Sequence, residues 1–228
     1  MAVNGTSEHD FYLTWHWTAG KYDVTNDEMK AYHFLIDGEG KTHKGYFSPE
    51  DNVPPMKAGK YAQHVLRANS YNIGVSMCGM YGSTEAEARK GNYGPYPLKQ
   101  AQVEAALDLT AQLCRQYGIP AVPARLLAHE EWDSIHGRHQ DRWDVCCIPH
   151  RTIRPQLLKD GTYASMNWVR AEVAKRLAGL ETNPDRFRPI FQHIVGIFDD
   201  PEFANLPAEV RRLVKQLRST PPLEGLKR

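Results

Sequence analysis

His16 stands in the run Phe11-Tyr12-Leu13-Thr14-Trp15-His16-Trp17-Thr18, among aromatic and β-branched residues. His129 follows Leu126-Leu127-Ala128, at the polar end of an apolar run, where active-site groups commonly sit. Asp144 lies in Arg142-Trp143-Asp144-Val145. Two imidazoles and one carboxylate, with a fourth position left for water, form a known arrangement for catalytic zinc. Each residue also has a plainer reading. A histidine in an aromatic strand is commonly a packed core residue, and an aspartate in a loop is commonly a turn or cap residue. The spacing of ligands across strands and loops depends on the fold, so spacing alone does not decide between the two.

The elements that would position these residues are legible from pattern. Residues 11–18 read as a strand ended by Ala19-Gly20. Thr25-Asn26-Asp27-Glu28 has the capping-box pattern and predicts a short helix to about Tyr32. His33-Phe34-Leu35-Ile36, a Gly-bearing turn and 41–46 predict a β-hairpin. Residues 72–79 read as a buried strand, and 80–97 as a long loop rich in Gly and Tyr. The clearest helix is 98–117, where Val103, Ala106, Leu107, Thr110, Leu113, Cys114 and Tyr117 recur at helical spacing. Pro97 sits near its start and Gly118 just past its end. Residues 124–129 read as a short strand, and the stretch to His150 as irregular. From about Arg151 the pattern becomes helical, over 163–180, 186–198 and 208–217. The expected organisation is an α/β domain over 1–150 and a helical C-terminal extension over 151–228.

The bulk numbers exclude other classes. The chain has 228 residues, 28 basic and 27 acidic, for a net charge of +1. That balance gives no support to a nucleic-acid binder or to a surface drawn to anionic membranes. No apolar run approaches the roughly 18 residues of a membrane span, and the polar start lacks a signal-peptide core. The protein is therefore expected to be made in the cytoplasm, without membrane insertion, and to act as a monomer. Cys78, Cys114, Cys146 and Cys147 have no CxxC spacing, so a disulfide framework is not expected.

Four blocks, in order, carry a resemblance: Trp15-His16-Trp17-Thr18-Ala19-Gly20, then Tyr32-His33-Phe34-Leu35-Ile36-Asp37, then Asn72-Ile73-Gly74-Val75-Ser76-Met77-Cys78-Gly79, and last Leu127-Ala128-His129-Glu130-Glu131 paired with Arg142-Trp143-Asp144-Val145. Over residues 11–148 the chain resembles the type 2 N-acetylmuramoyl-L-alanine amidases. That group also includes phage lysozyme-type amidases, bacterial recycling amidases and peptidoglycan recognition proteins. The resemblance implies a central mixed β-sheet flanked by helices. It implies Zn²⁺ held by His16, His129 and Asp144, peptidoglycan as partner, and hydrolysis of the amide between N-acetylmuramic acid and L-alanine. It also implies a catalytic role for Tyr32, which would orient water or the carbonyl, and a substrate-side place for His64. Asn72 is a further candidate for the substrate groove.

The departures from the pattern shape the expected mechanism. Where many relatives carry a catalytic lysine, this chain has Arg142, which can stabilise an oxyanion but is a poor proton donor. Where recycling enzymes carry a glutamate base, it has Ser76, which points to the lytic branch: a phage or prophage endolysin that reaches the cell wall after release. A muropeptide-recycling amidase and a non-catalytic peptidoglycan-binding module are the alternatives. Asp141, in His139-Gln140-Asp141, is a rival third ligand, and Cys146 or Cys147 a further one; Asp144 is preferred because Trp-Asp-Val matches in residue type and position.

Overall fold

Residues 11–140 and 142–182 are described by the computed structural model. Five strands form one mixed sheet: β1 (Tyr12–Trp17), β2 (Phe34–Ile36), β3 (Thr42–Lys44), β4 (Asn72–Met77) and β5 (Leu126–Ala128). Their spatial order is β3-β2-β4-β1-β5. The β2–β3 hairpin is antiparallel, and all other pairings are parallel. The helices are α1 (Asn26–Ala31), α2 (Glu85–Lys90), α3 (Gln100–Tyr117), α4 (Glu131–His136) and α5 (Ala164–Thr182). The expected mixed sheet with flanking helices is what the chain forms.

β1 and β4 are buried along nearly their whole length, as parallel strands covered on both faces must be. Alternation then sorts their side chains. Leu13, Trp15 and Trp17 point to one face with Ile73, Val75 and Met77. Thr14 and His16 point to the other, in register with Gly74 and Ser76. The first face is covered by α3, and the Trp15 indole donates to Thr110 Oγ1 at 2.7 Å. At the sheet's end Gln102 Nε2 donates to the carbonyls of Ile36 and Cys78, which closes two strand ends left open. The second face carries the polar groups. The Trp132 indole donates to Thr14 Oγ1, Thr14 donates to Asn72 Oδ1, and the Asn72 amide donates to the Ala68 carbonyl. Val65, Ala68, Leu127 and Trp132 pack around this chain of bonds.

His33 ties the hairpin to β4. Its Nδ1 accepts from the Gly74 N–H at 2.9 Å, so its Nε2 carries the proton and donates to Asn52 Oδ1 at 3.0 Å. Gly74 itself is required by its neighbour: a Cβ there would lie 2.8 Å from the His64 ring.

Two short helices appear where loops are expected. α2 interrupts the 80–97 loop, capped by Thr84 at its start and by left-handed Gly91 at its end. α4 follows His129 directly and ends at left-handed Gly137. Six-residue helices show too little periodicity to be read from apolar spacing. α5, as far as Gly179, lies in the same compact unit as the sheet. The physical reason is Arg170 on α5. Its guanidinium forms a two-pronged pair with Glu131 and donates to the Leu126 carbonyl. Glu131 also accepts from the backbone N–H groups of Ala128 and Tyr163. α5 is thereby bolted to β5 and α4. The helices expected at 186–198 and 208–217 lie outside the described residues, as does Asp141.

Two predictions follow from this packing. Glu131 is fully buried and Arg170 is 4% exposed, so Arg170→Ala leaves an unpaired carboxylate inside. The expected loss is about 3–5 kcal/mol, measured by urea unfolding; a loss under about 1 kcal/mol contradicts this account of α5. The second concerns pH. Burial lowers the His33 pKa to about 4, against a partial upward pull from Asn52. The unfolded chain takes up a proton near pH 6.5 that the native ring refuses until about pH 4, so stability falls as pH drops through that window. The buried His16 and His64 shift in the same direction and add to the fall. A metal-free protein whose urea midpoint is flat between pH 7 and pH 4.5 contradicts this.

Candidate metal centre

Two backbone hydrogen bonds and one side-chain contact bring the distant residues together. His16 is the fifth residue of β1. The chain leaves β5 at Ala128, and the His129 N–H donates to the Trp15 carbonyl, which sets His129 beside His16. The Glu130 N–H donates to the Asp144 carbonyl, which draws the 142–145 segment against the same place. Trp143 packs edge-on against Trp17 at 4.8 Å and fixes that segment from the side.

The result is a cluster of three donor atoms within 4.8 Å of one another. His16 Nδ1 lies 3.1 Å from Asp144 Oδ2, and His129 Nδ1 lies 3.4 Å from Asp144 Oδ1. His16 is wholly buried, whereas His129 and Asp144 keep 8% and 7% exposure. Burial lowers the His16 pKa to about 4, against an upward pull from Asp144, so the ring is neutral at ordinary pH.

Hydrogen bonding fixes the His16 tautomer. His64 Nε2 faces the Asn72 carbonyl at 3.0 Å, and a carbonyl only accepts, so that nitrogen carries the proton. Burial first, then His16 and His33, keep His64 neutral. Its Nδ1 must then accept from His16 Nε2–H, at 3.0 Å. The His16 Nδ1 lone pair is left pointing at an ionised carboxylate with no hydrogen between them. Such a contact is repulsive unless a cation lies among the atoms. Two imidazoles and a carboxylate are donors that zinc takes, and one donor atom from each lies within 4.8 Å of the others. The residues therefore fit a zinc ion by their chemistry, and their atoms lie close enough to share one.

Tyr32, at the C-terminal end of α1, has its ring 5.0 Å from that of His16. It is half-buried, and burial followed by the Asp144 charge raises its pKa, so its phenol stays protonated and can donate. Arg142 is exposed, yet its charge acts on both His16 and Tyr32. Ser76 stands next to His16 in the sheet, buried, and its hydroxyl neighbours the Tyr32 phenol. It offers no ionisable base.

Two residues expected on the substrate side sit elsewhere. His64 is 6% exposed with both ring nitrogens engaged inside the protein, so it supports His16. Asn72 is wholly buried, and its amide bridges Thr14 and Ala68. The pattern of a His or Asn near a strand marks a place in the fold, not which way the side chain faces. Gln140, whose Oε1 is 3.3 Å from His129 Nε2, is a site residue that no sequence signal marks. Cys146 and Cys147 are wholly buried and do not join the cluster.

Among solved structures, the chain is similar to the endolysin amidase LysCS of Clostridium intestinale, at 16% identity over 54% of this chain and 70% of that one, with a TM-score of 0.36. It is also similar to the Ph2119 endolysin of a Thermus scotoductus bacteriophage, at 16% identity over 73% and 86%, with a TM-score of 0.38. The hydrolase AmiA of Staphylococcus aureus is similar at 12% identity over 75% of both chains, with a TM-score of 0.45. No curated protein matches the sequence. The model of one family, N-acetylmuramoyl-L-alanine amidase, matches residues 7–150, which hold all three donor residues and Tyr32. The chain belongs to the N-acetylmuramoyl-L-alanine amidase family.

Proposed function

We propose that this protein is a zinc-dependent hydrolase of the amide between N-acetylmuramic acid and L-alanine in peptidoglycan, with His16, His129 and Asp144 as metal ligands. The observation that carries the reading is the meeting of two imidazole nitrogens and an ionised carboxylate at 3.1 and 3.4 Å, with a neutral His16. Membership of the amidase family supplies the bond class. Zinc bound there would polarise the amide carbonyl and lower the pKa of a water molecule.

The rest of the chemistry belongs to the side chains. Tyr32, held protonated, donates a hydrogen bond to the carbonyl oxygen or to the water and orients it. Arg142 places a permanent positive charge where negative charge develops on that oxygen. Its guanidinium does not give up a proton in the working pH range, so its role is electrostatic. With Ser76 at the position of a possible base, no carboxylate on β4 assists. That feature supports the lytic reading, an endolysin acting on the intact cell wall, over a recycling enzyme acting on soluble fragments. Among the described residues no helix is long and apolar enough to cross a membrane, and the proposed partner is peptidoglycan itself.

The decisive assay pairs metal content with release of L-alanine N-termini from purified sacculi. Wild type is expected to hold one zinc per chain and to release the termini, while His16→Ala and Asp144→Ala lose both properties. An Asp144→Ala variant that keeps zinc and activity rules out Asp144 as a ligand, and a wild type that holds zinc but cleaves nothing points to a binding module. Arg142→Ala is expected to keep zinc while kcat falls about 100-fold; unchanged turnover contradicts the electrostatic role. Faster cleavage of soluble muropeptides than of sacculi favours the recycling alternative.

A further inference from the structure

His16 and His129 are held from behind by partners that hang on one short segment of chain. Behind His16 the partner is His64. Behind His129 it is Gln140, and the orientation of that amide is fixed by backbone groups. Gln140 Oε1 accepts from the Leu66 N–H at 3.1 Å, and its Nε2 donates to the carbonyls of Leu66 at 3.2 Å and Arg138 at 3.1 Å. Turning the amide over would set its NH₂ against an N–H and its oxygen against two carbonyls. Gln140 Oε1 therefore faces His129 Nε2 as an acceptor, at 3.3 Å. A neutral His129 must then carry its proton on Nε2 and leave Nδ1 free toward Asp144.

We propose that residues 64–69 and Gln140 form a single brace that locks both imidazoles with Nε2 protonated and Nδ1 free for metal, making Gln140 a positioning residue for His129. The segment itself is held mainly through its backbone. Asn69 Oδ1 accepts from the N–H groups of His64 and Val65, both at 2.9 Å. Asn52 Nδ2 donates to the Asn69 carbonyl, and Arg138 Nη1 donates to the Arg67 carbonyl. Leu66 is 64% exposed, although its N–H and carbonyl are both committed to Gln140. An apolar side chain left in solvent while its backbone is fully engaged marks a segment shaped by what its main chain must hold. Outer partners of a metal-binding histidine commonly include a carboxylate. Here both are neutral, so neither adds negative charge beside an ion that would bind there.

The inference rests on the zinc reading for its function but not for its first test. Imidazole ¹⁵N–¹H spectra of the metal-free wild type at pH 7.5 report the tautomers directly. The expected result is His16 and His129 both protonated on Nε2 alone; His129 protonated on Nδ1 overturns the brace whether or not zinc binds. The second test is zinc affinity of the full chain by chelator competition. Gln140→Leu is expected to weaken zinc about 10–100-fold and to release the His129 tautomer, while Gln140→Glu, which keeps the acceptor toward His129 but sets its second oxygen against the Leu66 and Arg138 carbonyls, weakens zinc less than Gln140→Leu does. Unchanged affinity and an unchanged His129 tautomer in a folded Gln140→Leu variant overturn the proposal. If Gln140→Leu does not fold, the wild-type spectra decide: His129 on Nε2 supports the brace, and His129 on Nδ1 contradicts it. A wild type that binds no zinc but shows both Nε2 tautomers removes the proposed function and leaves the brace standing.

Discussion

Two histidine nitrogens and a carboxylate oxygen meet within 4.8 Å of one another in a nearly closed space. Much of the surrounding structure can be understood as the means of holding them. β1 and β4 lie buried on both faces, so His16 cannot swing to water. The Trp15 carbonyl fixes His129, and the Asp144 carbonyl is tied to Glu130. Each bond brings to His16 a residue that the chain places more than a hundred residues away.

The same constraint orders the outer layers. The polar face of the sheet is a continuous hydrogen-bonded set: Trp132 to Thr14, Thr14 to Asn72, and the Asn72 carbonyl to His64 and so to His16. Buried polar groups cost little when all are satisfied and much when one is not. This set therefore couples fold and site. α5 takes part at one remove, because Arg170 neutralises Glu131 within the helix that begins just after His129. A helix that reads in the sequence as an appendage is thus part of the support for the segment that carries His129.

What the sequence reveals and what it hides differ for a physical reason. His16, His129 and Asp144 are legible because residue type and order within blocks survive even when spacing varies. β1, the capping box at Thr25 and α3 are legible because alternation, caps and helical periodicity are local. The direction of a side chain is not local. His64 and Asn72 look like groove residues along the chain, yet Gly74 lets His64 lie flat over β4 and Asn72 points into the sheet's polar face. Gln140 is invisible for the same reason, since its role comes from two carbonyls and an N–H reached through folding. The place of α5 is hidden too, because a buried Arg–Glu pair looks like two surface charges until the partners meet.

The measurement closest to the central claim is X-ray absorption at the zinc edge of the loaded protein at pH 7.5. The account predicts nitrogen and oxygen neighbours only, at about 2.0–2.1 Å, with the outer-shell scattering of two imidazoles. A sulfur neighbour at about 2.3 Å would bring Cys146 or Cys147 into the centre, and a single imidazole would remove His16 or His129. Either result contradicts the His16–His129–Asp144 site.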